Sequence, residues 1–70
     1  MPLTIAPQGR VLKILKVTAD EKTKRHLENL GILAGGTVEV ISVERGSVIL
    51  KVKDARLALN KDVAIKILVA

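Results

Sequence analysis

Few side chains in this 70-residue sequence could perform catalysis, because it contains one histidine and no cysteine or tyrosine. Pairs of nucleophile and base are therefore almost absent from the available chemistry. Ser42 and Ser47 fall in or beside predicted strands, without the glycines that form a nucleophile elbow. Asp54 and Asp62 are each isolated, so the sequence predicts no carboxylate pair. We expect no enzymatic activity.

His26 is the single histidine that could act as a transition-metal ligand. No second histidine or suitably spaced acidic residue accompanies it, and Lys22 and Arg25 would repel a cation. We interpret His26 as a residue near a helix end, where positive charge is favourable. The Gly35-Gly36 pair lacks the lysine and spacing of a phosphate-binding loop and is predicted to form a turn. The sequence therefore predicts no metal and no cofactor.

The chain is basic, with a formal net charge of +5, and it has no aromatic residue. A net charge of about 2–8 is ordinary for the solubility of a small domain, although positive charge also favours acidic partners. Small barrels that bind RNA or DNA stack bases on aromatic side chains, and an SH3 groove for polyproline needs them too. The basic residues are also dispersed among Glu21, Glu28, Glu39 and Glu44. We predict no nucleic-acid partner, with weak phosphate contact as the alternative.

Length and hydropathy predict one small domain over residues 1–70. No cysteine is available for a disulfide. The N-terminal segment lacks the charged start and apolar run of a signal peptide. No apolar run approaches the ~20 residues that cross a bilayer. We therefore expect a cytoplasmic protein that does not insert into the membrane.

The best-defined local element is a short helix after the first strand. Thr18 and Glu21 have the spacing of a capping box. Gly31 suits the left-handed residue that closes a helix, with Leu27 and Ile32 as the apolar pair of a Schellman motif. The predicted inward stripe consists of Thr23, Leu27 and Leu30. One stripe on so short a helix requires a sheet to pack against.

The remaining apolar runs predict strands. The first, Val11–Val17, carries apolar residues on both faces and is expected to be mostly buried. Thr37–Glu44 and Ser47–Lys53 predict a hairpin around an Arg45-Gly46 turn, and a change of face after Val40 predicts a bulge. The last strand is predicted to alternate through Val63, Ile65, Ile67 and Val69.

The connections are predicted to be short. Leu3–Gly9 is expected to be extended and to end in a turn. Asp54–Arg56 is predicted as a corner and Leu57–Leu59 as a brief apolar segment, followed by one helical turn at Asn60–Asp62. Strands this short can cover a core by curling into a partly open barrel. The predicted fold class is therefore mainly β, a small SH3-like partly open barrel with one short α-helix after the first strand.

Several stretches occur in an order that resembles the FeoA family. They are Leu27–Leu33 (LENLGIL) followed by Gly35, the VEV strand, the Gly46 turn, Arg56–Leu59 (RLAL) and Ala64-Ile65. The resemblance extends from about Leu3 to Val69. Ala34 occupies a loop position where many members have proline, which is expected to change only the stiffness of the loop.

The resemblance implies an SH3-like accessory protein of ferrous iron uptake with no catalysis of its own. The implied partner is a FeoB-type ferrous iron permease, contacted through the cytosolic part that carries a GTPase domain. The C-terminal SH3-like domain of iron-dependent repressors shares the pattern, so a stand-alone repressor-type interaction domain is the alternative. That domain follows a DNA-binding region in the repressors, and we therefore expect a free-standing chain to be FeoA-like.

Apolar residues concentrated in connections predict a protein-binding surface, since connections usually run at the surface of a protein. The loop that leaves the helix, Leu30–Gly35, is its predicted centre, and Arg56–Leu59 is its second edge. The residues of this hypothesis are Leu30, Gly31, Ile32, Leu33, Gly35, Arg56, Leu57 and Leu59. The competing interpretation is that most of them fill the core, with Leu33 the one expected to be exposed. An exposed strand edge in so small a barrel would also allow a homo-oligomer.

Overall fold

The computed structural model describes residues 1–70. In chain order the elements are a 3₁₀ turn Leu3–Ile5, β1 Val11–Val17, α1 Glu21–Asn29, β2 Thr37–Glu44, β3 Ser47–Val52, β4 Ala55–Asn60, α2 Lys61–Ala64 and β5 Ile67–Val69. The strands form one antiparallel sheet in the order β4-β3-β2-β1-β5. The mainly β fold class is confirmed, and so are the predicted bounds of the first two strands.

The β2–β3 hairpin confirms both the predicted turn and the predicted bulge. The register between the two strands shifts between Val40 and Ser42, where the apolar residues change face. Gly46 completes the turn with a φ of +72°, a conformation that costs a residue without a side chain very little. The inward residues of β3 are Val48, Leu50 and Val52, and all three are buried.

The start of α1 differs from the predicted capping box. Asp20 is the N-cap residue, and its Oδ1 accepts a hydrogen bond from the N–H of Thr23 at 3.2 Å. Thr18 is instead held by the sheet, because its N–H and its hydroxyl both donate to the carbonyl of Lys66, at 2.8 Å and 3.0 Å. The capping-box prediction was wrong because aspartate two residues later is an equally good cap and Thr18 is committed to the chain that enters β5.

The end of α1 confirms the predicted Schellman motif. Ile32 N–H donates to Leu27 C=O at 2.9 Å, and Gly31 N–H donates to Glu28 C=O at 3.0 Å, which are the two hydrogen bonds that define the motif. Leu27 and Ile32 are both buried in the core. The prediction that Leu30 faces inward was wrong, since it is 38% exposed. Leu30 is the C-cap residue, where the chain already departs from helical spacing.

Strand β4 replaces the predicted corner and apolar segment. Ala55–Asn60 pairs with β3 at all six residues without a change of register. The sequence concealed this strand because alanine and asparagine are weak strand formers, and the pairing with β3 outweighs that preference. A second correction lies at the N-terminus, where Leu3–Ile5 forms a 3₁₀ turn rather than extended chain.

The predicted helical turn after β4 is confirmed and is longer than expected. Asn60 Oδ1 accepts a hydrogen bond from the N–H of Asp62 at 3.0 Å, which caps α2. Val63 belongs to this helix and Ile65 is its C-cap. The predicted last strand is therefore reduced to β5, because the cap at Asn60 favours helical spacing over strand alternation here.

The core contains sixteen buried residues, and all of them are hydrophobic. Strand β1 contributes Leu12, Ile14 and Val17 to it, whereas Val11 and Leu15 are exposed. The expectation of a mostly buried β1 was therefore wrong. Leu15 faces outward by alternation after Ile14. The pairing with β5 shifts register between Ile14 and Lys16, so Lys16 also stays outside and Val17 returns to the core.

Candidate partner-binding surface

The loop that leaves α1, here called the exit loop (Leu30–Gly35), is held firmly to the sheet. Gly35 N–H donates to Ile14 C=O at 2.8 Å, and Ile14 N–H donates to Gly36 C=O at 2.9 Å. Gly31 has a φ of +92°, and a Cβ placed on it would lie 3.3 Å from Cγ1 of Val52. Glycine is therefore required here both for its conformation and for the close approach of the loop to β3.

Within the exit loop, buried and exposed apolar residues stand side by side. Ile32 is 1% exposed and belongs to the core, whereas Leu33 is 45% exposed. Leu30 is also exposed, and Gly31 is half-buried. Ile32 therefore anchors the loop from beneath and is excluded from any docking surface, while Leu33 and Leu30 are accessible to a partner.

An open groove of about 290 Å³ lies between the exit loop, α1 and β1. Its apolar side chains include Leu33 and Ala34 from the loop and Leu15 from β1, which is 51% exposed. Lys16 and Lys24 also line it, together with Glu28. The groove thus combines apolar surface with mixed charge in which lysines outnumber the single carboxylate.

Leu15 was missed by the sequence-based prediction of this surface. The sequence places it inside a strand with apolar residues on both faces, so its residue type does not distinguish it from a core residue. A signal was nevertheless present, since Leu15 precedes Lys16 and the alternation set by Leu12 and Ile14 assigns Leu15 to the outer face. Its position beside the exit loop follows only from the contact between that loop and β1.

The second predicted segment, Arg56–Leu59, lies in β4 and does not line the groove. Leu59 is buried, Leu57 is half-buried against the core, and Arg56 is exposed. A second depression, between the exit loop and the end of β3, is lined by Gly31, Leu33, Ala34, Gly35, Gly36, Thr37, Val52 and Lys53. It does not reach β4 either, so the structure gives the two predicted segments separate surroundings.

The titratable side chains are dispersed over the surface of the protein. No group of three or more histidine, cysteine, aspartate or glutamate side chains is placed to hold a metal ion. His26 is exposed on α1. The pKa of Asp20 is lowered from its ordinary value by hydrogen bonds from the Thr23 side chain and backbone, which is the signature of a helix cap. Neither helix has the length and apolar character needed to cross a bilayer.

Comparison with known structures shows the same fold in two classes of protein. A crystal structure of an iron uptake regulatory protein (FeoA) superposes with a TM-score of 0.86 at 23% identity, covering 99% of this chain and 92% of that one. The solution structure of FeoA from Chlorobium tepidum gives a TM-score of 0.88 at 21% identity, covering 99% and 68%. The Zn²⁺-bound structure of ScaR gives 0.87 at 20% identity, covering 99% of this chain and 35% of ScaR. The fold is therefore the SH3-like one shared by FeoA proteins and repressor C-terminal domains.

Sequence comparison resolves which of these classes the chain joins. The candidate Fe(2+) transport protein A of Methanocaldococcus jannaschii is 31% identical over 68 residues, which cover 97% of this chain and 83% of the relative. The family model described as the FeoA domain matches residues 1–70. The resemblance noted in the helix exit and the later RLAL stretch thus extends over the whole chain, which belongs to the FeoA family.

Proposed function

We propose that this protein is an accessory component of ferrous iron uptake that binds the cytosolic part of a FeoB-type permease. The groove between the exit loop, α1 and β1 is the proposed docking site. The observation that carries the proposal is that Leu33 from the exit loop and Leu15 from β1 are both exposed and line one groove. Family membership and the name of the M. jannaschii relative support the assignment to ferrous iron transport.

The construction of the groove suits recognition of a protein segment. Ile32 and the hydrogen bonds to Ile14 hold the loop in place, so little ordering of the loop opposes binding. An apolar side chain of the partner would cover Leu33 and Leu15. Burial of apolar area stabilises a complex by about 25 cal/mol per Å², before the entropy lost on association is subtracted. Lys16 and Lys24 favour an acidic residue beside that apolar contact.

A binding titration against the cytosolic domain of the ferrous permease, with and without GTP, tests the proposal. Leu33→Glu should weaken binding by at least tenfold, about 1.4 kcal/mol, because a carboxylate would have to be buried against apolar surface. The matched control is Ile5→Glu, which adds the same charge at an exposed apolar residue outside the groove. Equal affinity of the two variants would exclude the groove, and no binding by the wild type would exclude the partner.

Nucleic-acid binding is the alternative function that the positive charge of the protein favours. Lys51 lies directly across from Arg56 on β4, but it also lies across from Glu39 on β2, so the basic surface is interrupted. Phosphate contacts of this kind give weak binding that falls steeply with salt. A gel shift with mixed RNA and DNA at near-physiological salt should show no saturable retardation, and tight retardation would contradict the accessory role.

A further inference from the structure

Strand β4 has a free outer edge. Lys61 N–H donates to Gly46 C=O at 3.0 Å, in register with the β3–β4 pairs. Because successive residues of an antiparallel strand direct their N–H and C=O groups to opposite sides, the groups of Leu57 and Leu59 point toward β3. Those of Arg56 and Ala58 therefore point away from the sheet. No turn, loop or cap hydrogen bond involves either of them.

The opposite edge of the sheet is covered by the chain itself. Val69 N–H donates to Met1 C=O at 2.8 Å, and the N-terminal amine donates to Val69 C=O at 2.9 Å. Pro2 forms an isolated bridge with Leu68. The edge strand β5 is also short, with three residues, whereas β4 has six and no bulge or proline. Only Arg56 provides the charge that usually protects such an edge.

We propose that β4 is a self-association surface, through which two copies of this chain join their sheets by antiparallel β4–β4 pairing. A second copy fits because a two-fold axis presents the same free groups to each other. With Leu57 opposite Leu57 of the second copy, Arg56 faces Ala58 across both sides of the axis. This register forms four backbone hydrogen bonds from the free groups of Arg56 and Ala58, and it opposes no like charges.

The side chains agree with this register. Leu57 is half-buried against the core, so contact between the two Leu57 side chains would remove their remaining exposed surface from water. Ala58 is small and exposed, which leaves room beside Arg56. The interface is one strand long, well below the roughly 1,200 Å² of a stable complex. The dimer should therefore form at high protein concentration rather than persist on dilution.

Sedimentation of the wild-type protein from micromolar to millimolar concentration tests the proposal. The average mass should rise from that of the monomer toward twice that value. Two copies each carry a formal charge of +5, so added salt should strengthen the association by screening their repulsion. A constant monomer mass over the whole range would overturn the proposal. The proposed permease contact is assayed separately, and either result can fail without the other.

Ala58→Pro is the variant that separates β4 pairing from other association. Proline removes the outward N–H of residue 58, which β3 does not use, and edge strands tolerate proline where the N–H faces solvent. The variant should stay monomeric, whereas Ala34→Pro, the same change at an exposed alanine of the exit loop, should dimerise like the wild type. Wild-type dimerisation by a folded Ala58→Pro protein would overturn the proposal.

Amide hydrogen exchange of the unaltered protein gives a second measurement that does not depend on the folding of a variant. The exchange of the Arg56 and Ala58 amides should slow severalfold as protein concentration rises. The amide of Val69, already bonded to Met1, should exchange slowly at every concentration. Unchanged exchange at Arg56 and Ala58 while the average mass doubles would place the interface elsewhere and overturn the proposal.

Discussion

The exit loop and strand β4 each place one buried residue next to exposed ones, but they offer different groups to a partner. In the exit loop, Ile32 is the anchor and the backbone is bonded to α1 and β1, so Leu33 presents a side chain. In β4, Leu59 is the anchor and the outward backbone groups of alternate residues are free. The loop is built for side-chain recognition, whereas β4 is built for the addition of a strand.

The sequence predicts one partner-binding surface with both segments in it, whereas in the structure the two segments offer different groups. A groove lined by side chains selects a partner by shape and charge, while a strand edge accepts any extended chain of suitable register. We therefore expect the permease contact and self-association to be independent in this protein. Substitutions in one region can therefore be measured with the other region as the control.

The largest effects should come from the two anchors. Ile32→Ala and Leu59→Ala should each reduce the free energy of unfolding by about 2–5 kcal/mol, because each leaves a cavity in the core. Leu33→Ala should have a much smaller effect, less than about 1 kcal/mol, since Leu33 is 45% exposed and lies outside the core. Denaturant unfolding measures all three. Equal losses for Ile32→Ala and Leu33→Ala would show that the loop does not divide into anchor and docking residue.

Substitution of Leu15, which lines the groove from β1, should give the next largest effect. Leu15→Glu should weaken binding to the permease domain by about tenfold, or ~1.4 kcal/mol, without a comparable loss of folding stability. The same substitution should leave the self-association of β4 unchanged, because Leu15 lies on β1 at the irregularity facing the exit loop. Parallel titration and sedimentation of one sample measure both. Loss of both properties would mean that the two regions are coupled.

Substitution of the closing glycine of α1 should give an effect of similar size, on folding stability rather than on binding. Gly31→Ala should destabilise the fold by about 1–2 kcal/mol, because alanine is strained at a φ of +92°, and its Cβ would press on Val52. Gly35→Ala is the control, since φ is +91° there as well but nothing lies within 4 Å of the added Cβ. The difference between their unfolding free energies measures the effect of the contact with β3. Identical values would show that this contact does not affect stability.

The smallest effect should come from pH at the start of α1. The pKa of Asp20 is lowered in the folded state by its hydrogen bonds to Thr23, so its contribution is present above the unfolded pKa of about 3.9 and is lost as pH falls through the folded value. The protection factors of the α1 amides, which correct for the slower intrinsic exchange in acid, should therefore fall on acidification, more than in Asp20→Asn, while β4 amides show no such difference. Identical pH profiles for α1 in both proteins would contradict this role of Asp20.

Local patterns predicted the parts of the fold that depend on neighbouring residues. The β2 bulge, the β2–β3 turn and the Schellman closure at Gly31 all follow from short-range spacing and glycine chemistry, and all are confirmed. One error occurred where two local solutions compete. Asp20 and Thr18 are both good caps, and only the bonds of Thr18 to Lys66 decide between them.

The candidate site was predicted less completely than the fold, because exposure depends on packing across the chain. The exit loop was identified, yet Ile32 cannot be distinguished from Leu33 by residue type. The exposure of Leu15 follows the alternation of β1, but its position beside the exit loop depends on the contact between that loop and the strand.

The amino-acid sequence by itself determined the chemistry of this protein: basic, aliphatic, without aromatic residues and with a helix closed by glycine. It also carried the family, through the order of short stretches. The tertiary structure decided which apolar residues meet water and which strand edge is free, since β5 is covered by Met1 and Pro2 while β4 pairs only with β3 in the sheet. Those outcomes depend on contacts between residues far apart in the chain, and composition and periodicity describe only near neighbours.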